Sequence, residues 1–309
     1  MKFINVRVLL ILSLLVVFGA VGSVLAKEVS KSASVNLPVE QWKGHEFTFL
    51  ALSGDKQTVG YEMYEVDQAT QGFQGDRSVR LSYADHVGKQ VTVTEVVPFA
   101  AGTNQQEYMV SMTVNGTGEK LLGRTMRGQV EGLVLTADLN NARKEFLGKT
   151  VYPKFRELSG MYDANGNTMP SSVATKIGGP VQVVDVYAGN QSKAPIWLIV
   201  SVNGEKAILP IAYSWTNIPV QAWTRTAPWQ DAMFTEDPRI TLGGSKDIWK
   251  QIQNGNVVEG MTKEQVKLSW GKPLRIEGNG SVWIYGTKKL NFHRNVLHSF
   301  EAVAELPAN

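Results

Sequence analysis

Tyr108-Met109-Val110-Ser111-Met112-Thr113-Val114-Asn115-Gly116 recurs as Ile196-Trp197-Leu198-Ile199-Val200-Ser201-Val202-Asn203-Gly204, and this pair of stretches decides the fold. Each run is rich in β-branched and aromatic side chains, and the first alternates apolar and polar positions. Each stops at Asn-Gly, the pairing that a tight hairpin turn favours. Both copies then continue to a Glu-Lys pair, Glu119-Lys120 and Glu205-Lys206, with only Thr117-Gly118 inserted in the first. Working outward, Val91-Thr-Val93-Thr-Glu95-Val96 matches Val181-Gln-Val183-Val-Asp185-Val186, each after a glycine-bearing turn at Val87-Gly88 or Ile177-Gly178-Gly179. A looser echo opens each unit, Trp42-Lys-Gly44 against Phe146-Leu-Gly148. Several blocks in the same order are expected from duplication of a small antiparallel β-unit rather than from shared hairpin grammar. The fold class expected is therefore multi-domain and mainly β: two related barrel-like units of roughly five or six strands each, spanning 36–140 and 141–225.

The N-terminal residues read as a cleavable signal peptide over 1–26. Lys2 and Arg7 form a basic start, an apolar run extends from Val8 to Val21, and Ser23-Val24-Leu25-Ala26 supplies small residues at the cleavage positions. Lys27 stands where an acylated lipoprotein needs cysteine, so lipid anchoring by that route is not expected. The chain has no cysteine at all, which excludes disulfides, thiolate metal sites and thiol nucleophiles. Loss of Lys2 and Arg7 on cleavage would take the formal charge from +3 to +1, with no basic stripe for nucleic acid. Export to the periplasm or an association with the outer membrane is the expectation that follows.

After the second unit, Pro228, Pro238 and Gly243-Gly244 punctuate a stretch read as a linker over 226–245. A different grammar occupies 246–302. Ile248, Trp249 and Ile252 share one face of a short helix that Gly255 ends, and Thr262-Lys-Glu-Gln265 is a capping box opening a second helix. Gly271 and Pro273 stop that helix, and three β segments follow at Val282–Tyr285, Lys289–Phe292 and Asn295–Phe300. The residues Gly260-Met261-Thr262-Lys-Glu-Gln265-Val266, Trp270-Gly271-Lys-Pro273, Trp283-Ile-Tyr285 and Leu290-Asn-Phe292 give an ααβββ order that resembles the SmpA/OmlA family. That is the family of the small lipoprotein of the outer-membrane barrel-assembly machinery. The resemblance implies an α+β module that works in the cell envelope, and it carries no catalytic residues.

Chemistry-bearing motifs are sparse. The four histidines, at 45, 86, 293 and 298, form no helical ligand pair, and no Gly-x-Ser-x-Gly elbow is present. Asp163-Ala-Asn165-Gly166-Asn167 opens like a calcium loop, but Ala174 stands where the closing acid belongs, so a turn is the better reading. The Asn-x-Ser/Thr triplets at Asn115, Asn190 and Asn279 read as turn asparagines. No cofactor or metal is expected. Trp197, Trp215, Trp223 and Trp229 crowd the end of the second unit, where they pack domains together or offer a surface to a partner. The function expected is that of a non-enzymatic envelope adaptor binding an envelope protein or polymer. A cell-wall polysaccharide-binding module and an enzyme whose acids (Glu95, Asp185, Asp231) meet only in three dimensions are the alternatives.

Overall fold

The computed structural model describes residues 36–67, 77–100, 106–161, 170–191, 193–218 and 228–302. The signal-peptide segment, the Asp163 loop and Trp223 lie outside them. The chain is mainly β, folded into three antiparallel sheets. In the first, β1 (Glu46–Phe49), β2 (Tyr61–Tyr64), β3 (Ser78–Leu81), β4 (Gln90–Ala100), β5 (Gln106–Val114), β6 (Lys120–Thr125) and β7 (Leu133–Leu135) lie in the order β3-β2-β6-β5-β4-β1-β7. The second contains β8 (Thr150–Pro153), β9 (Glu157–Gly160), β10 (Ser172–Ala174), β11 (Val181–Ala188), β12 (Ile196–Val202), β13 (Glu205–Ile211) and β14 (Met233–Phe234). Its order, β10-β9-β13-β12-β11-β8-β14, is the same strand for strand.

The duplication extends to single hydrogen bonds. Gly44 and Gly148 donate their N–H to Val93 and Val183 carbonyls at 2.8 and 2.9 Å, and Val93 and Val183 donate back to His45 and Lys149, both at 2.9 Å. The loose echo Trp42-Lys-Gly44 against Phe146-Leu-Gly148 is thus the same structural position. Both copies carry a β-bulge at the equivalent place, between Val93 and Glu95 and between Val183 and Asp185. A bulge bends its strand and strengthens the local twist, which the curl of each unit requires. The Asn203-Gly204 turn has φ of 51° and 89°, the doubly left-handed backbone of a two-residue hairpin, and this accounts for Asn-Gly there.

Each unit has seven strands, more than the count expected, and among the described residues neither sheet closes into a barrel: β3 and β7 are the edges of the first, β10 and β14 of the second. The curl is nonetheless deep. Strands β1 and β2 are four places apart in their sheet, about 19 Å in a flat arrangement, yet the Phe49 and Tyr61 rings approach to 4.6 Å and the Tyr61 hydroxyl donates to the Leu50 carbonyl at 2.5 Å. Trp42, Phe47, Phe49, Met63, Val93 and Met112 accordingly share one core.

Helix α1 (Thr136–Phe146) joins the two units and spans the boundary expected near residue 140. Its buried positions Leu139, Ala142 and Phe146 fall on one face and enter the core of the second unit, together with Leu50 and Val134 from the first. Strand β14 pairs with β8 through Met233–Pro153 and Phe234–Tyr152. Much of the stretch expected as a linker over 226–245 is therefore sheet and helix, because the apolar Met233 and the helix-starting Asp237-Pro238 pair are placed to be used.

In the last part, α2 (Lys246–Asn254) and α3 (Lys263–Trp270) precede an antiparallel meander of β15 (Arg275–Glu277), β16 (Val282–Tyr285), β17 (Lys288–His293) and β18 (Val296–Ala302). There are four strands where three were expected: β15 is a short edge strand of exposed residues without apolar alternation. The capping box forms in both directions, Gln265 N–H donating to Thr262 Oγ1 at 3.3 Å and Thr262 N–H to Gln265 Oε1 at 2.9 Å. Thr262→Ala is expected to cost about 1 kcal/mol, measured as a shift in the urea midpoint with unchanged slope.

Candidate functional site

The third module is joined to the second unit through Arg156, Ile177 and a hydrogen bond from Gln253 Nε2 to the Ile177 carbonyl at 3.4 Å. Arg156, just beyond β8, donates from Nε to the Gln253 carbonyl at 3.1 Å and from one Nη2 to the carbonyls of Ile252 (2.7 Å) and Ser269 (3.0 Å). It thereby gives donors to carbonyls at the C-terminal ends of α2 and α3 at once, the Ile252 carbonyl also accepting from the Gly255 N–H at 3.1 Å, and its charge meets the negative ends of the helix dipoles. Ile177 of the second unit enters the core around Trp249 and Ile252. Gly178 next to it has φ of 68°, and a Cβ there would stand 2.8 Å from Pro238 and 3.1 Å from Trp249, so contact this close needs glycine.

The second unit and the third module also line a cleft of about 640 Å³. One wall is Lys154, Asp231 and Phe234 of the second unit, and the other is Glu264, Lys267 and Leu268 of α3 with Gly271, Lys272, Pro273 and Ile276 beyond it. Lys154 is half-buried. Its ammonium donates to the Gln230 carbonyl at 2.5 Å and sits 4.2 Å from the centre of the Phe234 ring. Burial holds this lysine below its usual range, while the charges of Asp231 and Glu264 pull the other way. On the opposite wall Lys267 donates to Glu264 at 3.3 Å. Ile276 in the lining is 54 % exposed. The cleft thus offers cations, an apolar floor and an exposed apolar residue, and it draws on two parts of the chain that are distant in sequence.

The tryptophans singled out in the sequence are not one surface. Trp197 is buried with Ile199 and Ile208 on one face of the second sheet, beside a small depression of about 170 Å³. Trp229 is buried against Phe146 at 5.4 Å between ring centres. Trp215 is half-buried, and the indole N–H groups of Trp215 and Trp229 meet no acceptor among the described residues. Of these three described tryptophans, Trp197 and Trp229 are enclosed and Trp215 is half-buried. Of the acids, Glu95 and Asp185 occupy equivalent bulges in different sheets, and Asp231 lines the cleft. His86 is buried, with Nε2 at 3.0 Å from Glu119 and Nδ1 at 2.8 Å from the Ser82 carbonyl. Among the described residues no group of three or more histidines and acids could hold a metal ion, and no helix is long and apolar enough to cross a membrane.

A second buried polar group was not legible in the sequence. Asp138, in the first turn of α1, is 6 % exposed and accepts a hydrogen bond from the Ser214 hydroxyl. Burial pushes its carboxyl up to about 7, with the Ser214 hydroxyl and backbone opposing the rise. Ser214 belongs to a strap that leaves β13 and returns to the first unit. There Asn217 accepts from the Val130 N–H at 2.7 Å and donates to the Val130 and Leu133 carbonyls at 3.2 and 2.6 Å. All of these groups are enclosed, so this knot positions the two units rather than meeting a ligand.

No protein-family model, no curated protein and no solved structure matches the chain.

Proposed function

We propose that this chain is an exported, non-enzymatic adaptor of the cell envelope, periplasmic or associated with the outer membrane, that holds a protein partner in the cleft between its second β-unit and its C-terminal module. On this reading residues 1–26 direct export, the two barrel-like units are the body, and the SmpA/OmlA-like module over 246–302 is the part that engages the partner. The observation that carries it is the 640 Å³ cleft, in which the exposed Ile276 and the apolar Phe234, Leu242 and Leu268 stand beside charged residues, because a concave, partly apolar site with a few polar groups is the usual form of a binding site. The enclosure of Trp197 and Trp229 supports a protein partner over a polysaccharide, since sugar stacking needs open ring faces.

The test is site-specific photo-crosslinking of the tagged, exported chain in its native envelope, with the probe at Ile276 or Lys272 in the cleft and at Val184 on β11 as a control. Discrete envelope proteins are expected from both cleft positions and not from Val184. Glycan adducts, or the same products from all three positions, would sink the adaptor reading.

A further inference from the structure

We infer that the cleft takes up an extended polypeptide segment in which an acidic side chain stands between apolar ones, its carboxylate meeting Lys154 and Lys272 and its neighbours packing on Phe234, Leu268 and Ile276. This rests on the adaptor reading and names the chemistry that the partner carries at the site.

A lysine ammonium has three N–H donors. In Lys154 the Gln230 carbonyl takes one and the Phe234 ring faces the charge, and among the described residues no carboxylate forms an ion pair with Lys154 or with the exposed Lys272. Lys267 and Glu264 neutralise one another at 3.3 Å. The cleft as a whole therefore carries three lysines against two carboxylates, Asp231 on the wall of Lys154 and Glu264 on the other, both of whose charges act on Lys154. One added carboxylate completes this set. The lowered affinity of Lys154 for its proton, caused by burial, points the same way, because an ammonium that has lost water gains most from an incoming anion.

The rest of the lining selects the class of ligand. Asp231 and Glu264 stand on opposite walls, so a polyanion such as nucleic acid is repelled where a single carboxylate is not. Phe234, Leu242, Leu268, Pro273 and Ile276 supply the apolar floor and rim, suited to aliphatic side chains on either side of the acid. The volume of about 640 Å³ falls inside the range of roughly 300–1,000 Å³ usual for ligand pockets and suits a few side chains of a peptide.

The experiment is selection of a random dodecapeptide display library on the immobilised exported chain, followed by titration of the leading synthetic peptide and of its Asp→Asn or Glu→Gln counterpart. Enriched sequences are expected to place an acid between Leu, Ile, Val or Phe. Lys154→Met should weaken the acidic peptide by roughly tenfold and leave the amide counterpart unchanged, with Lys272→Gln giving a smaller loss of about threefold. Lys272 is exposed, so its variant keeps the test open should Lys154→Met fail to fold. Enriched peptides without an acid, equal binding to the lysine variants, or no enrichment would overturn the inference. If envelope proteins crosslink at Ile276 but bind Lys154→Met and Lys272→Gln like wild type, the adaptor reading stands and acid recognition falls. If acidic peptides are selected but Ile276 captures no envelope protein, the adaptor reading falls instead.

Discussion

Asp138→Asn is expected to make the protein more stable than wild type in mild alkali and no more stable in acid. The carboxyl of Asp138 is buried between the units and its affinity for a proton is raised, to about 7 from an ordinary value of 3.8. A carboxyl raised in this way binds protons more tightly in the folded than in the unfolded chain. Its contribution is therefore fully present below about pH 4 and is lost as pH rises through 7. A difference of about three pH units corresponds to roughly 4 kcal/mol. In the variant the Ser214 hydroxyl still has an amide oxygen to donate to, and the pH-dependent loss disappears. Chemical unfolding of both proteins at about pH 5 and about pH 8.5 measures it: the two should differ by roughly 2–3 kcal/mol less in acid than in alkali, because part of the loss is already present at pH 5. A gap between wild type and variant that does not change with pH would show that Asp138 titrates normally.

Arg156→Ala is expected to separate the third module from the rest. The Gln253 and Ser269 carbonyls lose the side-chain donor that Arg156 supplies and the Ile252 carbonyl keeps only the Gly255 N–H, while Ile177, through its packing and its hydrogen bond from Gln253, is left to hold the join. Partly buried acceptors deprived of a charged donor cost about 1–3 kcal/mol each, so a total of about 3–5 kcal/mol is expected. The loss should appear as a second, earlier unfolding transition and as protease cleavage between β14 and α2. Arg156→Lys should recover only part of it, since a single ammonium cannot reproduce the planar fork that reaches three carbonyls. One unsplit transition in Arg156→Ala would place the strength of the join elsewhere.

Legibility followed chain distance. The paired hairpins at Tyr108–Gly116 and Ile196–Gly204 were readable because alternation and Asn-Gly are local, and the capping box at Thr262–Gln265 because its two hydrogen bonds span three residues. Curl without closure was not readable. Edge strands β3, β7, β10 and β14 are two to four residues long, too short for period two to register. The exposed β15 lacks an apolar pattern for the same kind of reason. The cleft was invisible in the sequence, since Lys154 and Lys267 are far apart in the chain and line one cleft through the packing of the second unit against the helices at Arg156 and Ile177. The tryptophan crowd misled as a surface because density along the chain says nothing about which segment covers each ring. Trp229 is enclosed by Phe146 of α1, some eighty residues earlier.

The shared strand order carries a hazard while the chain is still folding. Hairpin β4–β5 and hairpin β11–β12 have the same bulge and equivalent neighbours, so each can compete for the other's place in the nascent sheets. Tandem repeats with such symmetry are prone to misassembly between domains. The two copies differ where a wrong partner would be tested first: Thr117-Gly118 lengthens one hairpin, and the ring at the start of the unit is Trp42 in one copy and Phe146 in the other. Divergence between the repeats thus works as proofreading, and restoring identity between them would be expected to slow refolding before it altered the native state.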